Sequence, residues 1–328
     1  MLRTGVSLLC FLLALAPRVA GATSSAELYT NAAYGYGRFE ARVRFAAGDG
    51  VVSSFFLWKE GSEQAGTFWN ELDDEKVGAD CHLTTNAYYG NPAVAHSQTP
   101  TVTGDLCGAY HTYAYEWTPD AIAWSVDGTE IRRETGATAQ AYADNATAGM
   151  QIHFNLWPGD ASFGGNFSAT ILPVFEYVDW VQFSSYANGA FTLAWREDFN
   201  AGTLPSGWLT GNWASAKNLS THSAQNVNFI NGFAVLSLTA DDATGATGAD
   251  PGPPDGSGGM GSAGANAGGA GSAGNGSGGG GGCNLSGPSG RHPFVALAAL
   301  ALGAMLKLRG NGSRGRRSSR VRTASRTP

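Results

Sequence analysis

The stretch YHTYAYEWTPDAIAWSVDG, residues 110–128, shows the pattern that decides the fold. Over residues 112–117 aromatic side chains alternate with Thr, Ala and Glu, and over 121–126 Ile, Trp and Val alternate with smaller residues. This period of two is typical of strands with one buried face. Thr-Pro-Asp at 118–120 is a turn signal between the runs, and Asp-Gly at 127–128 is a hairpin signal. The stretch therefore predicts consecutive antiparallel strands.

The same alternation recurs elsewhere, and no long segment has a helical period. Residues 39–45, FEARVRF, place two Phe, an Ala and a Val on one face and the charged residues on the other. Many short strands with regular turns, over roughly 215 residues, predict an all-β antiparallel sandwich or jelly roll. We place this domain at residues 23–242.

The N-terminal segment 1–22 has the features of a cleaved signal peptide. It carries a basic residue at Arg3, an apolar run over 6–16 and small residues at 20–22. We therefore expect an extracellular or cell-surface protein. The alternative, a lipoprotein anchored through Cys10, lacks the small-residue motif that would precede that cysteine.

The C-terminal part changes composition twice. Residues 243–282 are dominated by Gly, Ser, Ala, Asn and Pro, which predicts a flexible linker. Residues 283–328 contain Cys283, an apolar run over 294–306 and an Arg-rich end. That run makes a helix of roughly 20 Å, short for a bilayer core of about 30 Å. The arrangement resembles tripartite sorting tags of exported bacterial proteins; the alternative is a plain membrane anchor.

Charge and cysteine content narrow the function classes. Of the 20 Lys and Arg residues, two lie in the signal and nine from Arg291 onward, which leaves nine against 26 Asp and Glu. The acidic domain is therefore not predicted to bind nucleic acid. Cys81 and Cys107 are the cysteines left in the domain, and in an oxidising compartment we expect them to form a disulfide. Two separate thiols are the alternative, and the spacing fits no zinc motif.

The segment WNELDDE, residues 69–75, carries the chemistry. If it is a strand, Glu71, Asp73 and Glu75 project from one face. Glycoside hydrolysis needs one ionised carboxylate and one protonated acid, and closely placed carboxyl groups have separated pKa values. The alternative is a solvated acidic strand face. The adjacent Trp69, the aromatic-rich strands and the signal peptide favour an active site.

Six blocks of the chain together resemble glycoside hydrolase family 16, the jelly-roll endo-β-glucanases of the concanavalin A-like type. The uninterrupted E-x-D-x-E is similar to the licheninase branch. The blocks are AELYTNAAYGYGRFEARV (26–43), GVVSSFFLW (50–58), WNELDDE (69–75), YHTYAYEWTPDAIAWSVDG (110–128), FNLW (154–157) and EYVDWVQF (176–183).

Two later blocks have an unusual place in the chain. Residues 195–208 and 226–242 resemble strands that are N-terminal in ordinary family members. The resemblance therefore implies a circularly permuted domain, since sandwich termini lie at the surface and often close together. The alternative, a separate truncated domain over 191–242, would be too small to bury a core.

The resemblance implies a retaining mechanism on mixed-linkage 1,3-1,4-β-glucan. Glu71 would be the nucleophile, Glu75 the acid/base and Asp73 the carboxylate between them. No cofactor is needed for this chemistry. The family also carries a structural calcium, and the matching positions are Asp179 and the backbone oxygens of Asp198 and Gly232.

The resemblance and the need for flat apolar sugar-binding faces indicate further cleft residues. The partner would be a β-glucan, and we expect a monomer. For His111 the alternative is a histidine buried in the core. The aromatic candidates are Trp69, Trp157, Trp213, Tyr36 and Phe163. The polar candidates are Glu27, Asn86, Tyr88, Asn155 and His111.

Two departures from the family leave other functions open. Asp74 and Lys76 stand where the family has apolar core residues, and could pair with each other because burying an unpaired charge is costly. Phe163 replaces a tryptophan. The alternatives are a glucan transglycosylase, which uses the same residues, and a non-catalytic carbohydrate-binding surface protein.

Overall fold

A computed structural model describes residues 23–240 and 245–253. The predicted signal peptide, most of the linker and the C-terminal tag lie outside this range. The described residues form sixteen strands and one α-helix, with the following bounds: β1 Thr23–Thr30, β2 Gly37–Arg44, β3 Val51–Trp58, β4 Trp69–Val77, β5 His82–Gly90, β6 Ala93–Ala95, β7 His111–Trp117, β8 Ala121–Val126, β9 Thr129–Thr135, α1 Ala137–Asp144, β10 Gln151–Pro158, β11 Val174–Ala187, β12 Ala190–Glu197, β13 Trp208–Thr210, β14 Ser220–His222, β15 Val227–Ile230 and β16 Phe233–Ala240.

The strands form one curled sheet with the order β6-β5-β4-β3-β10-β1-β16-β11-β2-β7-β8-β9. All its named pairs are antiparallel except β1 with β14. The two ends of this order lie on each other: the Tyr115 hydroxyl on β7 donates to the Phe55 carbonyl on β3 at 2.6 Å. The Trp124 indole on β8 donates to the Asp73 carbonyl on β4 at 3.2 Å. The prediction of an all-β antiparallel jelly roll is confirmed.

The core lies between the two halves and is rich in aromatic rings. Phe55 stacks on Phe154 and packs against Tyr115, with ring centroids 5.2 and 5.0 Å apart. Phe45 packs on Tyr113 at 4.6 Å. Phe45, Tyr113 and Tyr115 occupy alternate positions that the period-two pattern assigned to the buried face, because successive strand residues point to opposite faces.

Residues 190–240 belong to the same sheet as the rest of the domain. β16 pairs with both β1 and β11, and β12 pairs with β11. A separate small domain over 191–242 is therefore not what the structure shows. Circular permutation stays a prediction.

The packed part of the chain continues beyond the predicted boundary at 242. The Arg44 guanidinium donates to the Asp250 carbonyl at 2.7 Å, and the Tyr110 hydroxyl donates to the Pro251 carbonyl at 2.8 Å. The Asp250 amide donates to the Tyr177 hydroxyl at 3.2 Å. Residues 245–253 thus lie as a strap across the outer face of β2, β7 and β11.

Two further expectations concern the chain as a whole. The predicted disulfide is confirmed: Cys81 and Cys107 are bonded, and their Cα atoms are 6.1 Å apart. Across 23–240 and 245–253, none of the helices is long and apolar enough to cross a membrane. The apolar run over 294–306 lies outside these ranges.

Candidate active site

The acidic triplet lies on β4, between β3 and β5. Glu71, Asp73 and Glu75 line one cleft, as the strand period requires. Asp74 and Lys76 point to the opposite face and are fully buried. The central position of β4 makes its backbone rigid, since both its edges are hydrogen-bonded.

The cleft lies on one face of the sheet, along β3, β4, β5 and β10. Carboxylates occupy its middle, and aromatic rings stand at both ends, which is the composition expected of a sugar-binding groove. Its lining residues are Ser54, Phe56, Trp69, Glu71, Asp73, Glu75, Asn86, Tyr88, Asn155, Trp157, Phe163, Ala216 and Lys217.

Hydrogen bonds orient the first two carboxylates. The Trp69 indole donates to Glu71 Oε2 at 2.6 Å. The Asn86 amide donates to Asp73 Oδ2 at 3.0 Å, and Asn86 Oδ1 accepts from the His96 backbone amide at 3.0 Å. Asn86 is therefore held from both ends, and it fixes the rotamer of Asp73.

Burial and neighbouring charges raise the pKa values of the three carboxyl groups to different extents. Burial raises the pKa of Glu71 to about 7, while hydrogen bonds from Trp69 and Asp73 oppose that rise. Burial, with the charges of Glu71 and Asp74, raises the pKa of Glu75 to about 8. Burial and the two flanking glutamates raise the pKa of Asp73 well above its ordinary value. Glu71 thus has the lower pKa of the two glutamates, and the hydrogen bond between the Asp73 and Glu71 carboxyl groups lowers the pKa of Glu71 and raises that of Asp73.

A buried tyrosine of α1 supports this strand from the side. The Tyr142 hydroxyl donates to the Glu71 carbonyl at 2.5 Å and lies 3.4 Å from the Tyr88 carbonyl. Tyr142 has no exposed surface. The helix therefore holds β4 and β5 together next to the reacting carboxylates.

A family model described as "Glycosyl hydrolases family 16" matches residues 12–182, more than half of the chain. The chain belongs to glycosyl hydrolase family 16. A β-glucanase of Fibrobacter succinogenes is 35% identical over 227 residues, which cover 66% of this chain and 64% of that protein. A β-glucanase of Bacillus amyloliquefaciens is 36% identical over 152 residues, covering 46% and 59%. The chain thus spans less than two thirds of the length of either relative.

The chain also aligns with a solved structure. The β-glucanase of Bacillus licheniformis aligns with 28% identity and a TM-score of 0.42, covering 50% of this chain and 78% of that chain.

Within the family 16 cleft, the structure brings together most of the residues predicted from the sequence. Trp157 stacks on Phe163 with ring centroids 6.1 Å apart and planes 18° apart. Trp69 packs edge-on against Tyr88 at 5.1 Å. The predicted residues that line the cleft are Trp69, Glu71, Asp73, Glu75, Asn86, Tyr88, Asn155, Trp157 and Phe163.

Four predicted substrate-binding residues do not line it. Glu27 has no exposed surface and faces His153. Trp213 is half-buried against Tyr29 and His222. The other two lie at a distance from the catalytic strand: Tyr36 packs edge-on against Trp117 at 5.0 Å, and His111 Nδ1 lies 2.7 Å from Asp127 Oδ2. For these four, substrate contact stays a prediction that this arrangement does not support.

Sequence reasoning missed four cleft residues. Ser54 and Phe56 could have been found, because they lie opposite Glu75 and Asp73 in the β3–β4 register and share their face. Ala216 and Lys217 carry no sequence signal. They lie in an irregular loop far from the catalytic strand in the chain.

Lys217 joins two loops at the rim of the cleft. Its ammonium lies 3.3 Å from Asp160 Oδ1 and also donates to the Ser162 hydroxyl. Asp160 is preoriented by the Ser162 amide at 2.8 Å. These hydrogen bonds lower the pKa of Asp160 to about 2, so it stays ionised beside Lys217.

The predicted pairing of Asp74 with Lys76 is not observed. The Lys76 ammonium donates to the Gly48 and Val51 carbonyls at 3.1 and 3.2 Å, and its burial lowers its pKa to about 8. Burial raises the pKa of Asp74 well above its ordinary value, with Tyr115 and Arg132 acting in the opposite direction. Lys76 is thus satisfied by backbone carbonyls, whereas among the described residues no hydrogen bond of normal geometry reaches either carboxyl oxygen of Asp74.

The residues matched to the family calcium site do not fit a calcium ion in this arrangement. The Asp179 carboxylate already has a cationic partner, since Arg42 Nη1 lies 2.5 Å from its Oδ2. A calcium ion would compete with the guanidinium for the same oxygen. The Asp198 carboxylate pairs with Arg196 at 2.7 Å, while Gly232 lies near the Asp198 carbonyl. Among residues 23–240 and 245–253, no cluster of three acidic, His or Cys side chains is placed to bind a metal.

Proposed function

We propose that the protein is an endo-β-glucanase that hydrolyses mixed-linkage 1,3-1,4-β-glucan with retention of configuration. One observation carries the proposal: Glu71 and Glu75 share one face of a rigid strand inside an aromatic cleft, and their pKa values are raised to different extents. This is the pair of states that double displacement requires. Membership of a family with β-glucanase relatives supports the substrate class.

In the first step Glu71 attacks the anomeric carbon of the bound glucan. Its carboxylate is held by the Trp69 indole and by protonated Asp73. Glu75, with the higher pKa, donates its proton to the departing glycosidic oxygen. The C–O bond breaks, a glycosyl ester forms on Glu71, and the product with the new hydroxyl group leaves.

In the second step Glu75 acts as a base. The charge of Glu71 is one cause of the raised pKa of Glu75, and esterification removes that charge. The pKa of Glu75 then falls, so it takes a proton from a water molecule as that water attacks the ester. The sugar is released with its original configuration, and both carboxyl groups return to their starting states.

The cleft walls select a β-glucan chain. Trp69 and Tyr88 stand at the Glu71 end, while Trp157 and Phe163 stand at the Glu75 end. Flat aromatic faces match the apolar faces of β-linked glucose rings. Asn155 and Lys217 supply polar groups for the hydroxyls at the rim of the ring.

The test is reducing-sugar release from barley mixed-linkage glucan, laminarin and carboxymethylcellulose by the chain from residue 23 onward. Glu71→Gln and Glu75→Gln are compared with Glu130→Gln, whose carboxylate is exposed on β9 and distant from the cleft. We expect release from the mixed-linkage glucan, loss in the first two variants and full activity in the third. Folded protein that releases no sugar from any glucan would overturn the proposal.

Two further measurements test the role of Glu75 and identify the acceptor of the glycosyl group. Azide should restore turnover of an activated aryl glucoside to Glu75→Ala, because a small anion needs no general base. Products longer than the substrate, measured by chromatography at high glucan concentration, would indicate transfer to a sugar hydroxyl rather than to water.

We also propose that the protein acts outside the cell. The signal-like segment 1–22 and the tail 283–328 support export and attachment to the surface. Cell fractionation with and without residues 283–328 tests this.

A further inference from the structure

A buried carboxylate between two histidines lies beside the cleft; it takes part in no chemical step of the proposed mechanism, although its charge is one cause of the raised pKa of Glu71. Glu27 on β1, His153 on β10 and His222 on β14 are 0%, 1% and 3% exposed. We call them the His–Glu–His cluster. His153 Nδ1 lies 2.8 Å from Glu27 Oε1, and His222 Nε2 lies 3.3 Å from Glu27 Oε2. His222 Nδ1 is 3.0 Å from the Ser25 hydroxyl.

Burying a charged cluster of this kind has an energetic cost. Placing a carboxylate out of contact with water is costly unless hydrogen-bond donors replace its solvation. The His153 imidazole is hydrogen-bonded to Glu27 Oε1, and the His222 imidazole lies against Oε2 at 3.3 Å. The Ser25 hydroxyl can donate to His222 Nδ1, which leaves the His222 proton on Nε2, facing Glu27.

The strand registers place Glu27 on the same face of the sheet as the cleft, next to its lining residue Asn155. Glu27 lies opposite Asn155, Asn155 opposite Ser54, and Ser54 opposite Glu75. Directly opposite residues share a face, so Glu27 continues the row that begins at the catalytic strand. With about 4.8 Å between strands, it lies roughly 14 Å along the floor from Glu75.

A segment of chain, residues 211–222, covers this end of the floor. The Gly211 amide donates to the Glu27 carbonyl at 2.9 Å, and the His222 amide donates to the Trp213 carbonyl at 2.9 Å. A Cβ atom at Gly211 would lie 3.0 Å from the Glu27 Cβ and 3.2 Å from the His222 Cβ, so the packing is close. The edge of Trp213 rests on His222, with centroids 6.1 Å apart.

The same 211–222 segment supplies part of the cleft wall. Ala216 and Lys217 line the cleft, and Ala216 packs against Trp157. His222 is the last residue of this segment and lies on β14, whose backbone pairs with β1. Its ring adds a buried side-chain contact with Glu27 to that backbone pairing.

We propose that His222, acting through Glu27, is a positioning residue that holds the 211–222 segment as a wall of the glucan cleft. This rests on the proposed function. His222 touches none of the three catalytic carboxylates, so it affects the binding of sugar rings away from the bond that is cleaved. Its loss raises KM for the glucan polymer and leaves kcat nearly unchanged.

The test is the kinetics of His222→Ala and His222→Gln in the full mature chain, on barley mixed-linkage glucan and on a short aryl glucoside. For His222→Ala we expect KM for the polymer to rise about tenfold, kcat to stay within about twofold, and turnover of the short substrate to be unchanged. His222→Gln places an amide donor near the position of Nε2 and should restore most of the affinity. Leu219→Ala, an exposed position of the same segment, is the matched control.

Three outcomes would overturn the proposal. Unchanged kinetics of a folded His222→Ala would show that the wall does not depend on it. Equal losses on both substrates, with a lower melting temperature, would show a general structural role. Failure of His222→Gln to restore affinity would show that the Glu27 contact is not the cause.

Two further experiments apply if His222→Ala does not fold or if the wild type hydrolyses no glucan. If His222→Ala does not fold, Glu27→Gln replaces it, since it keeps the shape and changes one acceptor into a donor that opposes an imidazole. If the wild type hydrolyses no glucan, the proposed function fails. The dissociation constant of the same glucan, from affinity electrophoresis, then tests the positioning role separately.

Discussion

Arg42 Nη1 lies 2.5 Å from Asp179 Oδ2 on the outer face of the sheet, where the family resemblance implies calcium. The guanidinium also lies over the Tyr110 ring, 4.6 Å from its centroid. The protein thus carries its own cation at this position. We predict that a chelator leaves the melting temperature unchanged.

Two variants compare the contribution of this ion pair to stability with that of an exposed surface ion pair. Arg42→Met removes the cation that faces the buried Asp179 carboxylate, and should lower the free energy of unfolding by about 2 kcal/mol. Arg133→Met, from a pair with Glu130 that is exposed on both sides, should cost less than about 1 kcal/mol. A chelator that lowers the melting temperature of the wild type by several degrees would contradict the prediction.

The indole of Trp69 is predicted to set the acid limb of the pH profile. Its hydrogen bond to Glu71 opposes the rise in pKa that burial causes. Trp69→Phe removes the donor, so the pKa of Glu71 rises further. Because Glu71 must be ionised to attack, the acid limb of kcat/KM should move to higher pH by about one unit.

Trp157→Phe is the control for this shift, since it alters an aromatic wall of the cleft that has no hydrogen bond to Glu71. Weaker glucan binding without a shifted limb is expected there. An acid limb that stays in place in Trp69→Phe would show that the indole does not tune the nucleophile.

We predict that Asp74 lowers the free energy of unfolding at neutral and alkaline pH. Burial raises its pKa in the folded state well above the ordinary value of 3.8, so the folded protein retains a proton that the unfolded chain releases. Stability from this group is therefore lost as the pH rises from about 4 through the folded pKa. Asp74→Asn has no such titration.

The measurement is urea unfolding of wild type and Asp74→Asn at pH 4, 6 and 8. The variant should gain stability relative to wild type as the pH rises, by about 1 kcal/mol or more at pH 8. A difference that does not change with pH would show that Asp74 is ionised in the fold, with Arg132 as its effective partner.

The Cys81–Cys107 disulfide closes a loop over a separation of 26 residues. In the chain-entropy model this stabilises the fold by about 3.5 kcal/mol. Replacing both cysteines with Ser should lower the melting temperature by about 10 °C and leave the cleft intact. Calorimetry of the two forms tests this, and equal melting temperatures would contradict it.

The strap at 245–253 is predicted to stabilise the domain without affecting activity. A chain that ends at 242 loses the hydrogen bonds of Asp250 and Pro251 to Arg44, Tyr110 and Tyr177. We expect it to be less stable by about 2 kcal/mol than a chain that ends at 253. Glucan hydrolysis should be equal in both, because the strap lies on the outer face of β2, β7 and β11.

Local pattern was sufficient for much of the fold and for the centre of the site. Alternation over 39–45 and 112–126 identified strands, because side chains in a strand alternate faces whatever lies around them. The same period placed Glu71, Asp73 and Glu75 on one face before any partner strand was known.

The tertiary structure alone decided which distant groups meet. Asp74 and Lys76 are close in sequence but do not pair: Lys76 bonds to the Gly48 and Val51 carbonyls, and Asp74 is buried near Arg132 and Tyr115. Glu27 is buried under the 211–222 segment, and Asp179 is paired with Arg42 from β2. These contacts depend on the register between strands that are far apart in the chain. The sequence alone determined which side chains share a face of one strand, because that is local geometry; burial and charge partners were decided by long-range packing.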